Sequence, residues 1–151
     1  MKAVQYQPFQ PLLTKPGLST FGLSLMESPV SPRLKGIVHS YLQVTTLKAT
    51  PYPMIPDATQ SVFISPYGSN VGGAQTQALD LQLMQSGDYF GIRFYPGALR
   101  YFFNLNLSEI TDQFVDNQFF PCRDFGSLHQ DIYQCDGFVE RKLLCENWLL
   151  K

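Results

Sequence analysis

The sequence predicts an α+β domain in which an antiparallel β-barrel or sandwich comes first and C-terminal helices follow. Three observations carry that expectation. Apolar residues recur at every second position through residues 34–95, turn residues cut that stretch into short pieces, and beyond Pro96 the spacing changes to that of helices. Strands first and helices last argues against the alternation of strand and helix that builds a parallel sheet. At 151 residues the chain has the length of one domain and can bury a core without disulfide staples. It divides into an N-terminal arm over 1–33, a barrel core over 34–96 and a helical segment over 97–151.

In the arm, Pro8, Pro11, Pro16, Pro29 and Pro32 interrupt short apolar pieces such as "STFGLSLM". Each proline lacks a donor and biases its predecessor toward extended backbone, so edge strands and loops are expected there rather than helix. In "IVHSYLQV" strict alternation puts Val38, Leu42 and Val44 on one face with Ser40, and Ile37, His39, Tyr41 and Gln43 on the other. "QSVFISPYG" is a short β-rich run stopped by Pro66 and Gly68. In "ALDLQLMQSGDYFGIRFYPG", Leu79, Leu81 and Leu83 alternate with Asp80 and Gln82, "SGD" supplies a turn, and Phe90, Ile92 and Phe94 alternate with Gly91, Arg93 and Tyr95, which predicts a hairpin. The glycine-rich stretch 68–76 reads as a hairpin or mobile loop, because it has no G-K-[ST] ending and opens no helix as a phosphate loop would.

Past Pro96, Asn106 followed by Glu109 resembles a capping box opening "LSEITDQFVDN". "SLHQDIYQC" is a short amphipathic segment, and Asp136 can cap "FVERKLLCENWLLK". At 100° per residue, Phe138, Leu144, Cys145, Trp148 and Leu149 form one stripe of the last helix. Val139, Leu143 and Leu150 form a second. A helix apolar on two sides has two neighbours. Both can belong to this domain, or one can belong to another subunit, in which case Leu144, Trp148 and Leu149 are the candidate dimer-interface residues.

Composition excludes several classes. Apolar residues are 44% of the chain and charged residues 15%, well below the usual share of about 25%, which is the opposite of a disordered segment. Eleven basic against twelve acidic residues leave a net charge of −1, so the cationic footprint of a nucleic-acid binder is missing. No apolar run reaches the roughly 18–20 residues that span a bilayer, and the first twenty residues hold no continuous apolar block. The chain therefore reads as a soluble, unexported, cytoplasmic protein with no membrane partner. Cys122, Cys135 and Cys145, odd in number and without C-x-x-C spacing, read as reduced thiols.

Catalytic patterns are not found. Only His39 and His129 are present, so a histidine-rich metal site cannot assemble, and Cys122, His129, Cys135 and Cys145 match no usual zinc spacing. No G-x-S-x-G elbow precedes a helix. We expect no catalytic residue, no metal and no cofactor. A binding role is open. Arg93 lies mid-strand in an apolar run, where its permanent charge needs a partner. That partner is either an anionic or polar ligand or an acid such as Asp57, Asp80 or Asp88, unless the side chain is simply exposed on the outer sheet face. Tyr41, His39 and Tyr95 share a parity that could gather rings and polar tips in one lumen with it, and they could equally be rim or core aromatics.

Three segments resemble one family. "SPRLKGIVHSYLQV", with Pro32, Leu34, Val38 and Tyr41, resembles its opening strand. "MIPDATQSVFISPYG", with Pro56, Asp57 and Gly68, resembles its P-D element, although Ser65 and Pro66 replace an expected Asn and its neighbour, and Thr59 and Gln60 replace more apolar or acidic residues. "GIRFYPGALRYFFNLNLSEITDQFV" is the most specific, through Arg93, Phe94, Pro96 and Gly97 with Glu109 and Asp112 following. These blocks are similar to those in N-terminal domains of a subgroup of AraC-type transcription regulators, and the likeness covers about residues 29–151. It implies a cupin-like barrel followed by helices, serving as an effector-sensing and dimerisation module ahead of helix-turn-helix units that read DNA. Those units are not in this sequence, so any DNA contact would run through a missing C-terminal domain. The implied partners are a small-molecule effector and a second copy of the chain. A stand-alone interaction or scaffold domain, its barrel filled by aromatic side chains, is the alternative.

Overall fold

The computed structural model describes residues 15–19, 22–48, 50–54, 59–72, 79–83, 86–102, 114–116 and 125–150. The fold is α+β. A one-turn helix α1 (Lys15–Ser19) precedes β1 (Ser24–Ser28), β2 (Val38–Thr46), β3 (Thr50–Met54), β4 (Gln60–Ser65), β5 (Gly68–Gly72), β6 (Leu79–Leu83), β7 (Gly87–Phe94) and β8 (Phe114–Asp116). Helices α2 (Phe125–Gln134) and α3 (Phe138–Leu149) follow. Six strands form one antiparallel sheet in the order β1-β2-β7-β4-β5-β8, and β3 and β6 form a separate ribbon. The pairings nest: β4 with β5, β3 with β6 around them, β2 with β7 around those. Among the described residues the outer strands β1 and β8 do not pair with each other, so the ladders leave the large sheet open.

The sheet is buried on both faces. Val38, Tyr41, Val62, Ile64, Val71, Phe90, Ile92 and Phe94 belong to one cluster, which also takes Leu128 and Ile132 from α2 and Phe138, Cys145, Trp148 and Leu149 from α3. Leu42 and Val44 face the other way, with Phe63 and Tyr89, and meet Leu18, Leu23 and Leu25 from the arm. The register of β2 against β7 slips between Val38 and Ser40, a bulge that carries one extra residue, His39. That slip corrects the simple alternation read along "IVHSYLQV". Val38 lands on the helix-covered face with Tyr41 instead of beside Leu42 and Val44. Gly91 lets the second face close, since a Cβ there would come within 3.0 Å of the Phe63 ring and 3.1 Å of Leu42.

Other expectations are revised. The 79–94 segment holds two strands as read, but they do not pair into a hairpin: β6 joins β3, while β7 lies between β2 and β4. The glycine-rich stretch begins as β5, and residues 73–76 lie outside the described residues. Within "LSEITDQFVDN", residues 114–116 form β8 against β5 instead of helix, and the Asn106–Glu109 box lies outside the described residues. The arm contributes β1, which pairs along β2 at the sheet's edge, consistent with the edge strands expected there, although α1 adds one turn of helix. At the start of α3 the capping residue is Gly137, not Asp136. Glu140 reaches back to accept a hydrogen bond from the Asp136 N–H at 3.3 Å, so one orphan donor is satisfied from inside the helix. No helix among the described residues is long and apolar enough to cross a membrane.

Candidate functional site

The bulge decides which predicted residues meet. Arg93 alternates with Ile92 and Phe94, so it points to the face opposite the helices, where its register partners are Ser40 on β2 and Ser61 on β4. All three are buried, Arg93 at 7% exposure. The bulged His39 places Nδ1 2.8 Å from Ser40 Oγ and 3.5 Å from Arg93 Nη1. A guanidinium only donates, so toward Arg93 Nδ1 can only accept, whereas toward Ser40 Oγ the direction depends on the imidazole tautomer. Tyr95, held by its backbone N–H to Ile37 O at 3.0 Å, sets its ring edge-on to His39 with centroids 5.5 Å apart. His39, Arg93 and Tyr95 thus form one cluster. Asp88, one of the acids considered for Arg93, pairs with Arg141 instead; the side chains of Asp57 and Asp80 lie outside the described residues.

Next to this cluster is an open groove of about 340 Å³. Residues 29–32 line it, together with Lys35, Val38, His39 and Tyr95. Pro32–Leu34 is a single 3-10 turn, begun at Ser31 with a proline at its first position, and its bond from Leu34 N–H to Ser31 O fixes the wall.

Tyr41 does not join them. Its ring stacks on Phe90 at 6.2 Å on the helix-covered face, and its hydroxyl donates to Glu146 Oε1 at 3.4 Å. The same oxygen accepts the Ser31 N–H at 2.7 Å. Tyr41 is therefore tied to the groove's wall through Glu146 of α3, a connection between residues 105 and 115 positions apart that no spacing in the sequence announces.

Leu144, Trp148 and Leu149, the candidate interface residues, turn into this domain's own core: Trp148 and Leu149 are buried and Leu144 packs partly buried against the same cluster. The other stripe is the uncovered one, with Val139 at 64% and Leu143 at 52% exposure. Both stripes are apolar in sequence, so periodicity gave no means of choosing between them.

Sequence reasoning also missed Arg141. Buried at 7% exposure, its Nη1 donates to Gln43 Oε1 at 2.8 Å and to Asp88 Oδ2 at 3.0 Å, its Nε to Ile132 O at 3.2 Å, and its guanidinium lies 5.0 Å over the Tyr133 ring. Asp88 Oδ1 accepts from Thr45 at 2.8 Å, and the Tyr133 hydroxyl donates to the Ile64 and Asp88 carbonyls. At 100° per residue Arg141 falls inside the first apolar stripe, between Trp148 and Cys145, so the signal available in the sequence was a permanent charge on the apolar face, which calls for a buried partner.

His129 Nε2 bonds Ser65 O at 2.6 Å. Cys135 and Cys145 are free thiols, and Cys122 lies outside the described residues. Among the described residues no three His, Cys, Asp or Glu side chains group as a metal ion would require.

Burial pushes the Cys145 thiol and the Tyr41 and Tyr133 hydroxyls up from their ordinary values of 9.0 and 10.0. The unfolded chain then loses these protons first as pH rises. Stability is full below about pH 9 and falls above it, at about 1.4 kcal/mol per pH unit for each group that ionises only when unfolded. The urea midpoint should drop between about pH 8 and about pH 10.5, and Cys145→Ala should make that drop shallower. A midpoint that is flat or rising over this range contradicts the burial.

One cluster offers a ring, a lysine and a shallow apolar wall, and the other pins a helix to the sheet. No curated protein and no solved structure matches the chain. A family model does match, over residues 26–116, which run from β1 through β8 and stop short of α2 and α3. That match spans more than half of the sequence, and the chain belongs to the family described as domain of unknown function (DUF6597).

Proposed function

We propose that this chain is the effector-sensing and dimerisation module of an AraC-type transcription regulator, non-catalytic, cytoplasmic, and folded as a cupin-like barrel with a helical appendage. The observation that carries the reading is the linkage of two surfaces by α3. Its Glu146 holds the wall of the groove while its exposed stripe, Val139 and Leu143, faces away from the sheet. The nested pairing of β2–β7, β3–β6 and β4–β5 is the strand order that a rolled-up double sheet needs, and it supports the barrel. The family-like residues also sit where backbone geometry calls for them. Gly97, with φ at 82°, opens the 3-10 turn Ala98–Tyr101 after β7 from the left-handed region, and its N–H donates to Gln60 Oε1 at 3.1 Å.

In this reading an effector acts only by binding one arrangement of α3 better than another, because equal affinity for both would shift nothing. DNA would be read by a separate domain. Sedimentation velocity tests the dimer half. The wild-type chain should self-associate at micromolar concentration, and Val139→Glu combined with Leu143→Glu should leave a folded monomer with an unchanged far-UV spectrum. A wild type that stays monomeric at tens of micromolar refutes it.

The second face of the sheet favours one competing reading. Leu18, Leu23, Leu25, Leu42, Val44, Phe63 and Tyr89 already fill much of it, as in a scaffold domain with no small-molecule ligand. Ligand stabilisation separates the two. An effector at 100 times its Kd adds about 2.7 kcal/mol of stability, and a filled scaffold gains nothing from any candidate.

A further inference from the structure

We propose that the groove beside residues 29–32 is a site for a small monocarboxylate with an apolar body, its charge met by Lys35. The inference deepens the sensing role proposed above and rests on it for its biological sense. Three features choose the ligand. Lys35 is exposed and none of the described residues lining the groove is acidic, so the charge it offers suits an anion. Glu146, which meets the groove's wall from α3, is engaged with the Ser31 N–H and the Tyr41 hydroxyl. A single lysine fits a monoanion better than a phosphate dianion, which would ask for more donors.

The second feature is the wall. Pro29, Val30 and Pro32 with Val38 and the Tyr95 ring give an apolar lining, and a volume of about 340 Å³ is at the small end of ligand sites. A free inorganic anion would gain nothing from such a wall. An aryl or short alkyl group would.

The third is Ser31. Its Oγ is buried and has no hydrogen-bond partner among the described residues. Buried hydroxyls are almost always satisfied, and because this one makes no bond, a rotation of the Ser31 side chain toward the groove would give a guest's oxygen a donor without breaking any existing contact. Because the Ser31 N–H is held by Glu146, a guest on Ser31 and Lys35 bears directly on the anchor of α3.

Titration of ¹⁵N-labelled protein with benzoate, phenylacetate and hexanoate, each beside its neutral amide, tests the site. At least one acid should give saturable shifts at Ser31, Lys35, Gly36 and His39, with its amide at least fivefold weaker. Lys35→Gln, at an exposed position, should fold normally and lose at least fivefold in affinity, Lys35→Arg should keep most of it, and Ser31→Ala should weaken binding without lowering stability. The proposal fails if no acid gives saturable shifts over residues 29–39, if acid and amide bind alike, or if Lys35→Gln binds as the wild type does. Shifts confined to Ser40, Ser61, Phe63 and Arg93 would move the effector to the other sheet face, sinking the groove and leaving the sensing role intact. A filled groove on a chain that never dimerises would do the reverse.

Discussion

Replacing Trp148 with alanine should lower the free energy of unfolding by about 3 kcal/mol, the low end for removing a large buried aromatic and leaving a cavity behind. Trp148 is 8% exposed and lies in the cluster that joins α3 to the strands, beside Cys145 and Leu149. Against a typical total of about 5–15 kcal/mol, that is a large share of the fold's stability. Leu143→Ala is the control. At 52% exposure on the opposite stripe, it should stay within about 0.5 kcal/mol of the wild type. Urea unfolding followed by far-UV circular dichroism is the suitable measurement, because Trp148 is the sole tryptophan and its loss removes the fluorescence signal. A loss below about 1 kcal/mol would mean that α3 is not seated on the sheet, since no well-packed tryptophan is that cheap to remove.

The pair of substitutions also separates two roles that the sequence leaves merged. Periodicity locates α3 and both of its apolar stripes, because hydrophobic spacing is a local property. Which stripe faces inward depends on what the rest of the chain brings to it, and that is not local. The strands behave alike. Their alternation is legible in "QSVFIS" and "YFGIRF", yet the partner of β6 is β3, about thirty residues back, although "SGD" has the chemistry of a tight turn. His39 is the sharpest case. One extra residue in β2 inverts the parity of everything before it, so Tyr41 parts from His39 and Tyr95 while Arg93 stays with them. Nothing in "VHSY" marks the bulge, because its cause is the register imposed by β7. Of the four residues predicted to come together, His39, Arg93 and Tyr95 cluster, and Tyr41 is tied through Glu146 to the wall of the groove that His39 and Tyr95 line. The partners of Arg141 were illegible for the same reason: Gln43 and Asp88 stand 98 and 53 residues away, although helical spacing already sets Arg141 on the inward stripe.

Arg141→Ala should cost about 3 kcal/mol, the low end for breaking a buried charge pair from one side. The low end applies because Asp88, at 35% exposure, can recover water once its partner is gone, whereas Gln43, buried at 5%, cannot. Arg141→Lys should recover less than half of the loss. Lysine keeps the charge and can still meet Gln43 or Asp88, but its ammonium has no second nitrogen to reach the Ile132 carbonyl and no planar face to cover the Tyr133 ring. Asp88→Asn tests the partition. If the ion pair itself dominates, Asp88→Asn and Arg141→Ala should couple by about 1 kcal/mol or more in a double-mutant cycle. If the neutral hydrogen bonds dominate, Asp88→Asn should be mild and Gln43→Leu severe, because the latter leaves a buried guanidinium with one fewer acceptor. The pair also sets the salt dependence. A cluster this enclosed is screened weakly, so the Arg141→Ala loss should change little between low and moderate ionic strength. A loss that fades with added salt would place Arg141 on the surface and detach α3 from its seat beside Gln43.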